Sequence, residues 1–246
     1  MKQYIADLHV HTLLSPCAEV EMTPHNIIAH AAANKVDMIA ITDHNSCDNL
    51  AAAIQVAAEY GVVVIPGMEL ETKEEIHVVA LFAKMRQLIK FETFVDSRRS
   101  GVMNVPEKFG PQFVVTADDE LIREKPEMLI CPVNIPIAEA VAKIHELEGI
   151  AIAAHIDRPA NGILSILGFI PPDLPLDAVE VSKRIKLIDA IKKFKFIKQS
   201  FVTSSDAHII EDFVTGGKTK LLLAEPTFAE LVLAIKSEQG RKILLE

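Results

Sequence analysis

Short apolar runs that stop on histidine, aspartate or glutamate recur along this chain and alternate with amphipathic stretches. Met38-Ile39-Ala40-Ile41-Thr42 ends in Asp43-His44-Asn45, and Val62-Val63-Val64-Ile65-Pro66-Gly67-Met68 ends in Glu69. Ile150-Ala151-Ile152-Ala153-Ala154 ends in His155, and Phe201-Val202-Thr203-Ser204 leads into Ser205-Asp206-Ala207-His208. A short continuous apolar run suits a strand buried on both faces, the condition of a parallel sheet flanked by helices. Between the runs, Thr23-Pro24 reads as the N-cap and first residue of a helix reaching about Lys35. An Ala-rich helix over about 46–60 closes at Gly61, and Ile137–Glu148 places Ala138, Val141 and Ile144 on one stripe. Ala178–Ser182 and Lys220–Ala224 are further strands, and a Lys- and Ile-rich helix spans about 187–199. The alternation predicts parallel pairing through right-handed crossovers, about seven or eight strands in all. A barrel of parallel strands carries its site at their C-terminal ends. The open doubly wound sheet is the other α/β arrangement, but Gly67 and Gly216-Gly217 stand in the wrong contexts for its dinucleotide turn.

The first motif is Asp7-Leu8-His9-Val10-His11-Thr12, led in by Tyr4 and Ile5. Period-two alternation puts His9 and His11 on one side of the strand and Leu8 and Val10 on the other. Paired neutral imidazoles commonly hold a zinc-like ion. The polar groups at strands and strand ends are His9, His11, His44, Glu69, His77, His155, Asp206 and His208; His77 stands near the start of its strand, Glu75–Phe82. Six of the nine histidines fall in this set. The others, His25, His30 and His145, lie on expected helices, and the five-residue spacing of His25 and His30 is about 140° around a helix, so they do not converge. Imidazole and carboxylate donors suit Zn, Mn or Fe. So many ligands exceed the needs of one tetrahedral ion, and a cluster of ions sharing a carboxylate is the economical reading.

Bulk composition narrows the function. A net charge of −9 and a pI near 5.5 argue against broad binding of nucleic-acid backbones, while leaving room for a local basic pocket for one phosphate. Cys17, Cys47 and Cys131 form no spaced framework and no signal peptide is visible, so a reducing cytoplasm is expected. Apolar runs are interrupted well before the roughly 20 residues of a membrane span. Residues of about 83–136, with Ser97-Arg98-Arg99-Ser100-Gly101 and several prolines, read as helical segments and loops inserted in the domain wall.

The ordered set Asp7-x-His9-x-His11-Thr12, Thr42-Asp43-His44-Asn45, Gly67-x-Glu69, the lone His77, Ala154-His155 and Ser205-Asp206-Ala207-His208 resembles the PHP (polymerase and histidinol phosphatase) family over nearly the whole chain. The resemblance implies one domain over residues 1–246, folded as a distorted (β/α)7 TIM-like barrel with a trinuclear metal site at the C-terminal face of the strands. It implies hydrolysis of phosphate esters. Carried over by residue, His9, His11, Glu69 and Asp206 would hold one ion. Glu69 would bridge to a second ion held by His77 and His155, and His44 and His208 would hold a third. The family supplies one more ligand from the loop after the first motif. Here Cys17, six residues after His11, takes a place where some members have histidine, and a thiolate is an acceptable zinc ligand. Two to three divalent ions of Zn, Mn or Fe are the expected cofactors.

Asp43 is expected to orient a neighbouring histidine, and Asp7 the first pair, since ligating imidazoles donate their second N–H to an acceptor. Arg158 is expected to clamp phosphate oxygens with its planar fork, and His208 to supply a proton to the leaving oxygen. Lys183 and Arg184 read as a solvated helix start. The expected reaction is hydrolysis of a small phosphate ester, a metabolite or nucleotide, by a metal-activated hydroxide. The expected partner is that small phosphorylated substrate, with no membrane and no strong sequence evidence for nucleic-acid binding; the oligomeric state is not specified. The alternatives are a metal-stabilised PHP binding module without catalysis, a histidinol-phosphatase or nuclease type, and an amide-hydrolysing barrel.

Overall fold

In the computed structural model, which describes residues 1–245, the alternation becomes a sheet rolled almost shut. β1 (Lys2–Val10), α1 (Pro24–Ala33), β2 (Met38–Ile41), α2 (Leu50–Tyr60) and β3 (Val63–Glu71) make a βαβαβ run with parallel strands. The Thr23 hydroxyl caps α1 by accepting the Asn26 N–H, and Gly61 ends α2 at φ 69°, a left-handed turn that favours glycine. β4 (His77–Leu81) breaks the expected pattern. It follows β3 through residues 72–76, too few for a crossover helix, and so runs antiparallel to β3.

Next come α3 (Met85–Asp96), α4 (Pro106–Phe109) and a hairpin of β5 (Phe113–Val115) and β6 (Leu121–Glu124). The expected helices and loops of about 83–136 therefore include a two-stranded element that its three- and four-residue strands did not announce. α5 (Ile137–Glu146), β7 (Ile150–Ala153), α6 (Ile163–Leu167), β8 (Ala178–Val181), α7 (Leu187–Lys193) and β9 (Ser200–Thr203) restore the parallel alternation. α8 (Ile210–Thr215), β10 (Thr219–Leu223), α9 (Phe228–Lys236) and β11 (Lys242–Leu244) complete the described chain.

The sheet order is β11-β10-β1-β2-β3-β4-β7-β8-β9, so seven strands from β1 to β9 form the barrel wall, with β10 and β11 added beyond β1. Closure does not use a full ladder. The His11 N–H donates to Ala207 O at 3.1 Å, the Asp206 N–H to His9 O at 3.0 Å, and the Thr219 hydroxyl to Thr203 O at 2.7 Å. The result is a distorted seven-stranded α/β barrel.

Alternate strand residues form two cores. Met38, Ala40, Ile65, Val79, Leu81, Ile152, Ala178 and Val202 belong to one buried cluster, which fills the barrel. Ile39, Ile41, Met68, Leu70, Val78, Ala151, Val179 and Val181 pack outward against Ile27, Ile28, Leu50, Val56, Val141 and Ile144 of the helices. β1 departs from simple alternation. Asp7 pairs with Ile39 but Val10 with Ile41, so three steps on β1 match two on β2. This bulge switches phase. Leu8 joins the inner cluster and Val10 the outer one, although period two put them on the same side. Leu8 and His9 can both face inward as a result. Among the described residues no helix is long and apolar enough to cross a membrane.

Candidate metal centre

Above the apolar layers, the inward positions turn polar. Glu69 shares its face of β3 with Ile65 and is fully buried. Gly67, two residues before it, has no room for a side chain: a Cβ there would meet Leu81 Cδ2 and Thr42 Cγ2 at 2.8 Å. The reversed direction of β4 explains why His77 opens its strand rather than closing it. The N-terminal end of an antiparallel strand lies beside the C-terminal ends of its neighbours, and His77 pairs with Glu71 of β3. Three strand-end turns place non-glycine residues at positive φ: Asn45 at 50°, His155 at 29° and Asp206 at 50°. Such backbone is uncommon outside glycine and clusters at functional sites.

All eight strand-end groups come together around Glu69. Its Oε1 lies 3.2 Å from His9 Nε2, 2.8 Å from His77 Nδ1 and 3.2 Å from His155 Nε2. Its Oε2 lies 3.4 Å from His11 Nε2 and 3.0 Å from His44 Nδ1. Asp206 Oδ1 lies 3.4 Å from His9 Nε2 and 3.3 Å from His11 Nε2. The His208 ring stacks on His11 at 4.2 Å between centroids.

The rings are held from behind. His9 Nδ1 donates to Glu180 Oε1 at 3.0 Å, and Glu180 also accepts the His155 N–H at 3.2 Å. His11 Nδ1 donates to Ser15 Oγ at 3.1 Å, because the Ser15 hydroxyl is committed to Asp43 Oδ1 at 2.7 Å. These bonds leave the Nε2 lone pairs of His9 and His11 facing one another at 3.1 Å. Two acceptors at that separation call for a cation or a proton between them. Buried Glu69 Oε2 and His44 Nδ1 also lack hydrogen-bond partners. This donor set of imidazole nitrogens and carboxylate oxygens fits Zn, Mn or Fe.

Among the described residues, three sets have ligand atoms within 4.8 Å of one another: His9, His11 and Asp206; His44, Glu69 and His77; His11, His44 and His208. Cys17 is in none of them. The residue lies exposed on its loop, but its thiol sits beside His44 and His208; partial loss of water raises the thiol, and the two imidazoles outweigh this and pull it down to about 6. Burial also resists charge on His9 and His44, but Glu69, with Glu180 and Asp206 at His9 and Cys17 at His44, holds both imidazoles well above the ordinary histidine value. Burial carries His77 down to about 4 against the pull of Glu69. Glu69 itself stays well below the usual carboxylate range; His77, His9 and His44 overcome its burial.

Two supporting assignments need correction. Asp7 does not orient the first histidine pair: it pairs with outward-facing Ile39, the bulge that follows turns His9 to the opposite face, and Asp7 accepts the Ser205 N–H at 3.0 Å and faces Lys218 Nζ at 3.0 Å. Asp43 touches no imidazole; it accepts from the Thr12 N–H, the Thr12 hydroxyl and Ser15, each at 2.7 Å, and steadies His11 only through Ser15. The acceptor behind His9 is Glu180, which sequence reasoning passed over. Its one signal was a carboxylate inside the otherwise apolar run Ala178-Val179-Glu180-Val181. Asn45 and Asn49 were also missed. Asn45 Nδ2 donates to Leu129 O and Cys131 O, and Asn49 Nδ2 to Phe113 O, pinning the hairpin region beside the site.

A cavity of about 310 Å³ opens at Asp206 and His208, lined also by Arg158, Lys183, Arg184 and Asp212. Arg158 pairs with Asp206, and Lys183 with Asp212. Lys183 and Arg184 are therefore part of the mouth, not only a solvated helix start.

The PHP domain family model matches residues 7–162. A 3′,5′-nucleoside bisphosphate phosphatase of Chromobacterium violaceum is 35% identical over 78 residues, 30% of this chain and 26% of that protein. The 5′-3′ exoribonuclease Rnm of Salmonella typhimurium is 35% identical over 82 residues, 31% of this chain and 27% of that protein. Among solved structures, the lesion-specific endonuclease PfuEndoQ of Pyrococcus furiosus superposes with a TM-score of 0.72 at 20% identity, covering 98% of this chain and 58% of that one. Endonuclease Q has also been solved with a 27-mer duplex substrate carrying an abasic lesion at the active site. The likeness to the endonuclease is one of fold, and the matched segments span about a quarter of the phosphatase and of the exoribonuclease.

These findings overturn the expectation of a small phosphorylated substrate with nucleic acid set aside. An exoribonuclease and a duplex-bound endonuclease stand among the proteins this chain is similar to. The expectation rested on a net charge of −9, which averages the whole surface, whereas the cavity beside the site gathers Arg158, Lys183 and Arg184.

Proposed function

The chain belongs to the PHP domain family, and from that premise we propose that it is a metal-dependent phosphoesterase that cleaves phosphoester bonds of nucleic acids or their nucleotide ends. The observation that carries this reading is one buried carboxylate, Glu69, facing five imidazoles beside a cavity lined by cations. His9, His11, Glu69 and Asp206 would hold one divalent ion; Glu69, His77 and His155 a second; His44 and His208, with the Cys17 thiolate, a third. Zn, Mn or Fe fits these donors. Such ions supply Lewis acidity, which acidifies water toward neutral pH and offsets charge on phosphoryl oxygens.

The chain's own residues do the rest. Glu180 and Ser15 fix the imidazole tautomers, so the Nε2 atoms of His9 and His11 point inward. Arg158 pairs with Asp206 at the cavity, and its planar fork would bind phosphate oxygens there with Asp206 serving as a metal ligand. His208 donates Nδ1–H to Asp206 O at 2.9 Å, so Nε2 is the atom that would face a third ion or the leaving oxygen.

The test is purified protein loaded with Mn, Zn or Fe and offered 5′-phosphorylated oligonucleotides, nucleoside 3′,5′-bisphosphates and bis(p-nitrophenyl) phosphate. Turnover that Glu69→Gln abolishes is the expected result. No turnover of any ester by fully metallated protein would shift the reading to a metal-stabilised binding module.

A further inference from the structure

Residues 183–198 carry seven cationic side chains, Lys183, Arg184, Lys186, Lys192, Lys193, Lys195 and Lys198, against one carboxylate, Asp189, on a chain whose net charge is −9. All seven are exposed. Their place in the fold is fixed by the pairing of β8 with β9. Val181 pairs with Thr203 and Ala178 with Ser200, so the two strands run parallel. The segment between them must therefore leave the metal mouth at Ser182 and descend the outer wall to the base of the barrel. Its upper end lines the cavity through Lys183 and Arg184. Leu187, Ala190 and Phe194 turn inward, which leaves Lys192 and Lys193 on the outer face of α7.

Little neutralises this stripe. Lys183 pairs with Asp212, and Lys192 Nζ lies 3.6 Å from Asp189 Oδ1. Among the described residues, no carboxylate lies within ion-pair distance of Arg184, Lys186, Lys193, Lys195 or Lys198. Phe196, between Lys195 and Lys198, is 64% exposed. Closely spaced cations recognise a row of phosphates by releasing counterions, and an exposed aromatic ring among them offers a face on which a base can stack.

We infer that residues 183–198 form a track for a single-stranded nucleic acid, whose backbone descends the α7 wall while its terminal phosphoester enters the mouth. This names the substrate class of the site proposed above and rests on that reading for its chemistry, though not for strand binding.

The experiment measures binding of the metal-loaded protein to a hydrolysis-resistant phosphorothioate 12-mer across a salt series. The comparison is with the triple variant Lys192→Gln, Lys193→Gln, Lys195→Gln, none of which touches the metal residues. At 100 mM salt the triple variant should bind at least about tenfold more weakly, and its slope of log affinity against log salt should be shallower by about 2, from about 0.7 per lost phosphate contact on a single strand. Its turnover of bis(p-nitrophenyl) phosphate should match wild type. Phe196→Ala should weaken the single strand severalfold and leave a duplex unchanged. Equal affinity and slope for the triple variant and wild type would overturn the track. So would a duplex held more tightly than the single strand, or lysine-dependent binding to anionic lipid vesicles without binding to the 12-mer. Lysine-dependent strand binding without turnover of any ester would remove the phosphoesterase reading and leave the track standing.

Discussion

Inside the barrel mouth, Glu69 is 0% exposed and faces five imidazoles; on the wall beside it, Lys192 is 70% exposed with a single carboxylate nearby. Both regions concentrate charge, under opposite conditions. In the bowl each charge has lost its water and survives only through partners at fixed distances, so loss of one member disturbs all the others. On the wall each ammonium keeps its hydration, salt screens it, and its contribution to binding is nearly independent of its neighbours. On the proposed reading, the bowl would set what chemistry is available and the wall what that chemistry is offered.

The sharpest way to break this contrast is Glu69→Gln. The substitution keeps the volume and removes the charge that five rings share. Bound metal and turnover should both fall by more than the roughly 10–100-fold typical of a group that only orients a ligand, read by elemental analysis and kcat. A variant that keeps both would show the bowl to be as divisible as the wall. Next in size is Glu180→Gln, which still offers His9 an acceptor but no charge. Metal affinity by chelator competition should drop about 10–100-fold, with kcat largely recovered in excess metal. The double variant should lose less than the two singles together, since both act through His9.

The third prediction concerns the metal-free protein and pH. His9 and His44 are held above the usual value, so their stabilisation is complete below the unfolded value of about 6.5 and is lost as pH rises through the folded ones. His77, carried down to about 4 by burial, acts in the other direction: the unfolded chain takes up its proton first, and stability falls as pH drops from about 6.5 to about 4. Glu69, held low by the same histidines, adds a further loss below about 4.3. Burial pushes Glu71 up to about 7 and so offsets His77 between about pH 4.3 and 6.5, while the Cys17 thiol, pulled down to about 6, offsets part of the alkaline loss. The Tm of chelator-treated protein should therefore hold a plateau between about pH 4.3 and 6.5 and fall on both sides. Added metal should flatten the alkaline limb by replacing the imidazole protons. A Tm that rises steadily from pH 5 to pH 9 would contradict the charge assignment of the bowl. The smallest effect is expected on the wall. Lys195→Gln alone should reduce the salt slope of strand binding by about 0.7, and single losses at Lys192, Lys193 and Lys195 should add.

Much of the bowl was legible before any coordinates, because a histidine or carboxylate at the end of an apolar run is a local signal. His44, Glu69, His155, Asp206 and His208 carry this signal, His9 and His11 stand out by their period-two spacing, His77 by its place in a strand, and the structure brings all eight together. Glu180 was not legible, because nothing local separates a carboxylate that backs a buried imidazole from one in any other strand. Only the placement of β8 beside β7 puts it within reach of His9 and His155. The bulge in β1 was equally hidden: period two is a rule for regular strands, and the pairing with β2 decides where it fails. In the sequence the basic wall is only a Lys- and Ile-rich helix over about 187–199, since a one-dimensional charge run does not say which end of a barrel it leaves.

The sequence by itself determined the alternation of strand and helix, the composition of the two cores and the identity and order of the polar groups, because hydropathy and side-chain chemistry are properties of each residue and its near neighbours. Tertiary structure alone decided that β4 runs backwards so that His77 reaches Glu69, that Glu180 rather than Asp7 stands behind His9, and that the cations of 183–198 begin at the mouth. Each of these depends on which strands pair and in which direction, and that is settled by packing and hydrogen bonding between segments far apart in the chain.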